Sequence, residues 1–495
     1  MTVASFAGAG ASSAGSGWSA IDWHAVERRV RRLQVRIAKA TAEGRWGKVD
    51  ALQRLLTHSF YAKLLAVKRV TGNRGAKTPG VDGLLWKTAR QKFEAAMSLR
   101  RRGYRPQPLR RMYIPKKNNQ QRPLGIPTMA DRACQALHWF ALEPVSETLV
   151  DRNAYGFRPK RSTADAIAQC FLCLCKKTSS QWILEGDIKS CFDQIDHDWL
   201  LSNIPMDKEV LHKWLKAGYL EKTLFYPTEM GTPQGGIISP TLMLMTLRGL
   251  EDVVSSATTP RDKVHVIAYA DDFVITGVNK QLLVDVVQPA VEAFLRVRGL
   301  QLSQEKTLIT HIEQGFDFLG FNVRKYNGKL LIKPAKKNVL AFLGDIRSTI
   351  RLEKSSSSGA LIRRLNPKIQ GWANYYRHVV SKRTFSYVDH AIFHSIWKWS
   401  TRRHPNKGAW WVEKKYFQRQ GLRYWIFCGQ TIDRHGMVST RQLIRASDTT
   451  IRRHIKVRSD ANPYSSFDEV YFEQRSQWKR YNYLTAVAHH ILSVS

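Results

Sequence analysis

Long apolar runs are missing from this chain: no window approaches the roughly 20 consecutive apolar residues that a membrane-crossing helix needs. The N-terminus also lacks the apolar centre of a secretory signal. Its first twenty residues are rich in Ala, Gly and Ser but poor in the Arg of an organelle transit segment, so they read as a flexible tail. Cysteine is scarce, with six in 495 residues. The one cluster, Cys170-Phe-Leu-Cys-Leu-Cys175, has no second Cys or His pair following at ligand spacing, which argues against a zinc site. These thiols are expected to be buried in a helix as small hydrophobes, in a reducing intracellular compartment. Acidic residues are few as well: 40 Asp and Glu against 78 Lys and Arg leave a formal charge of +38. Solubility alone would be served by far less, whereas a long polyanion repays the excess through phosphate neutralisation. No internal repeat is apparent.

What is present suggests about three domains of ordinary size. Hydrophobic residues make up 43% of the chain, enough for substantial cores. From Trp23 a basic helix begins. Val26, Val30, Leu33 and Ile37 recur on one face, while Arg28, Arg32, Arg36 and Lys39 share another that is free for phosphate. Residues 71–83 form a Gly-rich basic loop with turn signals. The basic stretch 100–127 ends in Gln121-Arg-Pro-Leu-Gly-Ile-Pro127, whose prolines confine it to extended or edge structure. Helical spacing follows over 131–150. Tyr155-Gly-Phe-Arg-Pro159 reads as a turn leading into a helix over 162–175.

Trp182-Ile-Leu-Glu-Gly-Asp187 is then a buried strand with a carboxylate at its end. Residues 264–269 and 273–276 are two apolar strands, and Ala270-Asp271-Asp272 between them can only be a tight turn. Strand, helices and hairpin indicate an α+β unit, an antiparallel sheet backed by helices. If the hairpin lies beside the first strand, Asp187, Asp271 and Asp272 converge. Converging carboxylates are costly unless cations neutralise them or one holds a proton. Mg²⁺ suits such a site, because it takes one or two carboxylates and leaves room for water and substrate phosphates. Any one of these aspartates alone is equally well a turn former.

The boxes around them resemble the reverse transcriptases encoded by mobile group II introns, also called intron maturases, of the bacterial and especially cyanobacterial branch. Tyr269-Ala-Asp-Asp272 matches that family's catalytic box. Gly186-Asp-Ile-Lys-Ser-Cys-Phe-Asp-Gln-Ile-Asp-His197 matches the box of the first metal-binding Asp, and Gly231-Thr-Pro-Gln-Gly-Gly-Ile-Ile-Ser-Pro240 the box of a nucleotide-site Gln. Residues 121–127, 155–159, 299–306 and 316–321 match in order as well, so the resemblance covers roughly residues 23–463.

The resemblance implies an α+β right-hand polymerase with an antiparallel palm sheet. Its segments would be a tail (1–20), fingers and palm with a basic extension (21–335), a helical thumb or maturase domain (336–430) and a small DNA-binding segment (431–495). Asp187 and Asp271 would hold two Mg²⁺ ions with the backbone of Ile188, and Asp272 would assist on the primer side. Arg122 and Lys116, with Lys117 nearby, would meet the dNTP triphosphate, and Gln234 would line the nucleotide site. Phe192, five residues after Asp187, would exclude a 2′-OH and make the product DNA; core packing is its competing reading. Lys306 would protonate the pyrophosphate leaving group, with an ordinary surface lysine as the alternative.

Gly371-Trp-Ala-Asn-Tyr-Tyr-Arg377 and residues 385–399 resemble the thumb. There Trp372, Tyr375, Tyr376 and Trp399 are expected in the core, and Arg377, His378, Lys382 and Arg383 against RNA, alongside Arg28, Arg32, Arg36 and Lys39. Cys428 is the lone cysteine of the last hundred residues, so an H-N-H endonuclease of the kind many relatives carry is not expected. The expected function is RNA-directed DNA synthesis, with intron RNA, DNA target and primer, and dNTPs as partners and a cytoplasmic, nucleoid-associated location. Splicing-only maturase, RNA-directed RNA polymerase and recruited reverse transcriptase are the rival readings.

Overall fold

The structure, a computed structural model, describes residues 17–115, 121–232, 235–432 and 436–478. Most of the expected N-terminal tail, Lys116, Lys117, Gln234 and residues 479–495 lie outside the described residues. The described chain forms two compact units. The first comprises 17–162, 184–309 and 457–478, and the second 163–183 and 310–456.

In the first unit, α1 (Trp23–Ala42) starts where the Asp22 carboxylate accepts the Ala25 amide at 3.0 Å. Val26, Val30 and Ile37 are buried as their spacing predicts, each contributing on the order of 1.5–3 kcal/mol. Gln34 sits in the same stripe and donates to the Phe140 carbonyl at 2.9 Å, tying α1 to α2 (Met129–Leu149). Thr128 caps α2 by accepting the Asp131 amide at 3.1 Å. Among strands numbered along the chain, β1 (Leu109–Pro115), β2 (Gln121–Ile126), β4 (Tyr219–Glu221) and β5 (Leu224–Tyr226) form a sheet of order β2-β1-β4-β5. Pro123 and its neighbours therefore occupy an edge strand, where a missing N–H is tolerated. The β1–β4 pairing is parallel, which local patterns do not announce.

A second sheet has the order β6-β7-β3-β8, with β3 at Trp182–Asp187, β6 at Val266–Tyr269, β7 at Asp272–Gly277 and β8 at Leu308–His311. The strands β6 and β7 are an antiparallel hairpin. Gly186 is fixed by this packing: a Cβ there would lie 2.2 Å from the Phe273 ring of β7. Beneath the sheet a buried ion network holds the turn 155–159. Arg158 donates to Glu147 through Nε at 2.8 Å and Nη2 at 3.1 Å, and its Nη1 donates to the carbonyls of Asp151 and Ala154.

In the second unit, α3 (Thr163–Leu174) accompanies the antiparallel sheet β9 (Phe316–Phe318), β10 (Phe321–Tyr326) and β11 (Lys329–Pro334). Three long helices follow, α4 (Lys336–Leu352), α5 (Ser358–Tyr376) and α6 (Lys382–Arg402). Then come α7 (Ala409–Tyr416) and the sheet β12 (Phe417–Gln420), β13 (Arg423–Ile432) and β14 (Val438–Gln442). The compact units cut the chain differently from the expected segments. Phe321 stacks on Tyr375 at 5.2 Å and Tyr375 donates to the Leu319 carbonyl, so the sheet β9–β11 goes with the helices after residue 335. Strand β13 runs straight through position 430/431. Of the aromatics expected in the core, Tyr376 and Trp399 are buried, Trp372 stacks on Phe342 at 4.7 Å, and Tyr375 is partly exposed.

The cysteine expectation needs correcting. All six thiols are free, but in the cluster only Cys170 is buried; Cys173 is half-exposed and Cys175 lies just beyond the helix end. Three positions spaced by three and two cannot all share one helical face. Among the described residues no helix is long and apolar enough to cross a membrane.

Gly186→Ala should destabilise the first unit by about 1–3 kcal/mol through overpacking against Phe273. Gly47→Ala, in an exposed helix where a Cβ meets nothing within 4 Å, should be neutral or stabilising by up to about 1 kcal/mol. Urea unfolding midpoints of the two variants check the contrast; equal midpoints would contradict it.

Candidate active site

Asp187 ends β3, and the residues after it are held by a neighbouring segment. The Ser303 amide donates to the Asp187 carbonyl at 2.8 Å, the Lys189 amide to the Gln301 carbonyl at 3.0 Å, and Ile188 bridges Leu302 in antiparallel sense. Residues 299–306 thus run alongside 187–189, which brings Lys306 to the carboxylate. Its ammonium donates to Asp187 Oδ2 at 2.8 Å.

Tyr269 pairs with Asp272 across the hairpin, so the turn itself is only Ala270 and Asp271, and Asp272 already belongs to β7. Ala270 takes φ 60° while Asp271 does not enter the left-handed region, the backbone pattern of a two-residue II′ turn. Gly is the usual residue there, so alanine holds this turn against local strain. The turn is braced from behind. The Tyr155 amide donates to the Ala268 carbonyl at 2.9 Å, and the Ala268 amide to the Asn153 carbonyl at 3.0 Å. A Cβ on Gly156 would sit 2.2 Å from the Ala270 nitrogen. The motif Tyr155–Pro159 is therefore a support for the aspartate turn, set in place by the buried Arg158–Glu147 pair.

The electrostatics follow from this convergence. Burial pushes the Asp271 carboxyl above its usual range; the nearby Asp187 charge adds to the rise, while Arg122 and Lys306 oppose it. The hydrogen bond to Asp187 raises the Lys306 pKa, with the charges of all three aspartates contributing. Burial likewise raises the Cys191 thiol, reinforced by Asp271, Asp193 and Asp187. Among the described residues no group of three His, Cys, Asp or Glu side chains is placed to hold a metal unaided. The acceptor set is Asp187 with Asp271, and a lysine ammonium already provides counter-charge. Hard carboxylate oxygens beside an attracted cation fit a hard divalent ion that completes its shell with water and substrate oxygens.

Of the other residues expected at the nucleotide site, Gln234 lies outside the described residues. Ile188 is buried next to Asp187. Arg122 lies on the edge strand β2 opposite Ile114 and acts electrostatically on Asp271. Phe192 is half-buried in the short helix Cys191–Gln194, edge-on to Phe157 at 6.2 Å, and its carbonyl accepts the Thr232 amide. Gln234 itself is not described, but its flanks are anchored. The Gly231 amide donates to the Ile195 carbonyl at 2.7 Å, and Gly235 comes so close to β2 that a Cβ would lie 2.5 Å from the Gly125 oxygen. Sequence reasoning did not single out Phe157 or Cys191; the motifs containing them were the available signal.

Of the residues expected to meet RNA, Arg28, Arg32 and Arg36 are exposed on α1, and Lys39 is exposed with Glu43 at 4.0 Å. Lys382 and Arg383 are exposed at the start of α6, although Lys382 donates to the Ser447 carbonyl. His378 departs from the expectation. It packs against Phe321 at 5.2 Å and burial pushes it down to about 4, so it offers no cation at neutral pH. Arg377 is half-buried, and its carbonyl accepts the Arg452 amide.

Three family models match the chain in order: the N-terminal domain of reverse transcriptase over residues 18–99, reverse transcriptase (RNA-dependent DNA polymerase) over 114–323, and the group II intron maturase-specific domain over 339–417. Protein YkfC of Escherichia coli is 31% identical over 334 residues, covering 59% of this chain and 87% of that protein. The group II intron-encoded protein LtrA of Lactococcus lactis is 27% identical over 471 residues, covering 73% of this chain and 78% of LtrA. A telomerase from Candida albicans, solved with a fragment of telomeric RNA, superposes with a TM-score of 0.36 at 12% identity over 63% of this chain and 64% of that one. With polymerase and maturase-specific domains in this order, the chain belongs to the group II intron-encoded proteins and is an RNA-directed DNA polymerase with maturase function.

Proposed function

We propose that Asp187 and Asp271, with the backbone of Ile188, hold two Mg²⁺ ions for dNTP addition to a DNA primer on an RNA template, and that Asp272 assists on the primer side. Reverse transcriptases as a family use divalent metal ions. When bound, such ions stabilise the attacking and leaving oxygens of an in-line phosphoryl displacement. The observation that supports this assignment most directly is the electrostatic effect of Asp187, at a strand end, on Asp271 in the hairpin turn.

The chain's own residues do the rest. Arg122, with Lys116 beside it in sequence, neutralises the triphosphate, where a guanidinium's forked donors suit phosphate oxygens. Gln234 lines the nucleotide site from the anchored 231–235 segment. The ring of Phe192, steadied by Phe157, closes the space a 2′-OH would need. Lys306 carries its proton at neutral pH as a lysine ordinarily does, and its hydrogen bond to Asp187 raises the pKa further. It is thus in the charge state needed to hand a proton to departing pyrophosphate.

The exposed arginines of α1 and the basic start of α6 hold intron RNA. With a DNA target and primer, the same polymerase site would serve target-primed reverse transcription during intron mobility. Residues 336–430 act as thumb and maturase domain, and 431–495 as a DNA-binding segment.

Primer extension on an RNA template with dNTPs and Mg²⁺ tests the polymerase site. Wild type should give DNA, and Asp271→Ala should lose at least about 100-fold in rate, several kcal/mol of charge stabilisation. Full activity in that variant would sink the assignment. Phe192→Val should reduce discrimination against ribonucleotides at least about 10-fold, read as the ratio of kcat/KM for dCTP and CTP; an unchanged ratio would return Phe192 to a packing role. For the RNA-holding role, wild type should lower the Mg²⁺ concentration at which its intron splices, as followed on gels of intron-containing transcripts.

A further inference from the structure

Strands β12 and β13 pair Gln418 with Ile426 and Gln420 with Arg423, so Arg419 alone faces two residues, Tyr424 and Trp425. This is a β-bulge, a device that re-aims side chains. Trp425 takes φ 62°, a region that bulky side chains rarely enter and that is held only when the surroundings impose it. The bulge sets the indole against Trp397 at 5.4 Å, Phe417 at 5.7 Å and Phe393 at 6.0 Å. It nevertheless leaves Trp425 41% exposed. Tyr424 is 57% exposed, with the Arg419 guanidinium 4.3 Å from its ring centre. Ring contacts continue along α6, from Phe393 to His394 at 5.7 Å and from His394 to His390 at 4.4 Å, and both imidazoles are exposed.

The surrounding charge is predominantly positive, although Arg423 pairs with Asp448 at 2.9 Å. Residues 402–425 carry seven Lys and Arg against the single acid Glu413. Packing alone does not explain two neighbouring exposed aromatic rings on a strained bulge amid an excess of cations. Flat π faces beside guanidinium and ammonium groups match unstacked bases and their phosphates.

We propose that Tyr424 and Trp425, with Arg419, form a stacking platform for an unpaired segment of intron RNA. The proposal rests on the maturase reading, which supplies RNA as the polyanion. It carries that reading beyond the maturase-specific match ending at residue 417, onto the β12–β13 hairpin.

The test uses full-length protein and an unstructured RNA of about 16 nucleotides bearing 5-iodouridine, with abasic RNA and DNA counterparts. Photo-adducts mapped by mass spectrometry should fall on Tyr424 or Trp425. Trp425→Gly removes the ring while suiting the left-handed backbone, and Tyr424→Ala removes the second ring of the bulge at a position outside the left-handed region. Each should weaken base-bearing RNA roughly 5- to 100-fold and leave abasic RNA unchanged; Trp425→Gly also loses ring packing, so Tyr424→Ala, at the more exposed ring, is the variant expected to melt near wild type. Variants that bind as wild type, or adducts that map only elsewhere, would overturn the platform. DNA competing as well as RNA would overturn RNA as its ligand in favour of single-stranded DNA. Adducts at the platform in a protein that leaves splicing unchanged would support the platform and remove the maturase reading alone.

Discussion

Like charges gathered at one point are the constraint that organises this molecule. Asp187 lies close enough to oppose ionisation of Asp271, from which water is partly excluded. Two features offset that repulsion. The segment 299–306 is laced to 187–189 by backbone hydrogen bonds, which delivers an ammonium to Asp187. The edge strand β2 contributes Arg122 to the same field. Neither cation belongs to the strands that carry the aspartates, so their charge is balanced only when separate parts of the first unit come together.

Holding a two-residue turn with alanine at φ 60° needs backing, and that backing is ionic. Arg158 and Glu147 are 2% and 1% exposed at their side chains, and Arg161 approaches Glu147 at 3.3 Å. A buried pair of this kind gains little net stability over apolar packing, but loss of one partner strands a charge. Its contribution here is positional. Arg158 gathers the carbonyls of Asp151 and Ala154, which orients the 153–156 backbone that braces Ala268 and Ala270. The glycines at 156 and 186 then allow two close approaches, one to the turn and one to Phe273.

Much of this was legible in the residues themselves. A strand ending in Asp187 and a hairpin closing at Asp271 follow from local periodicity, and the α1 stripe from Val26, Val30 and Ile37. What escaped depends on chain segments far apart. His378 reads as a surface cation until Phe321 and His454 close on it. The parallel β1–β4 pairing joins residues more than a hundred positions apart, and no local pattern encodes it. The Trp425 bulge leaves no mark either, because a tryptophan and not a glycine occupies its left-handed position. The compact units depart from the expected segments for the same reason: compactness is decided by what packs together, as the sheet β9–β11 shows.

The last part of the first unit arrives late. Arg161 donates to the carbonyls of Ser459 and Ala461, Asn462 donates to Thr148, and Tyr464 donates to the buried Glu143, whose carboxyl is pushed up to about 7 by burial. Arg161 and Ser459 are separated by 298 positions. At about 5–20 residues per second, a ribosome needs roughly 15–60 s to make the connecting chain. During that interval α2 is already synthesised, while Glu143 awaits Tyr464 and Arg161 awaits the Ser459 and Ala461 carbonyls. A nascent chain in this state exposes basic surface before its last strap is fastened. The first unit therefore cannot complete its packing until the chain from 459 onward has been made.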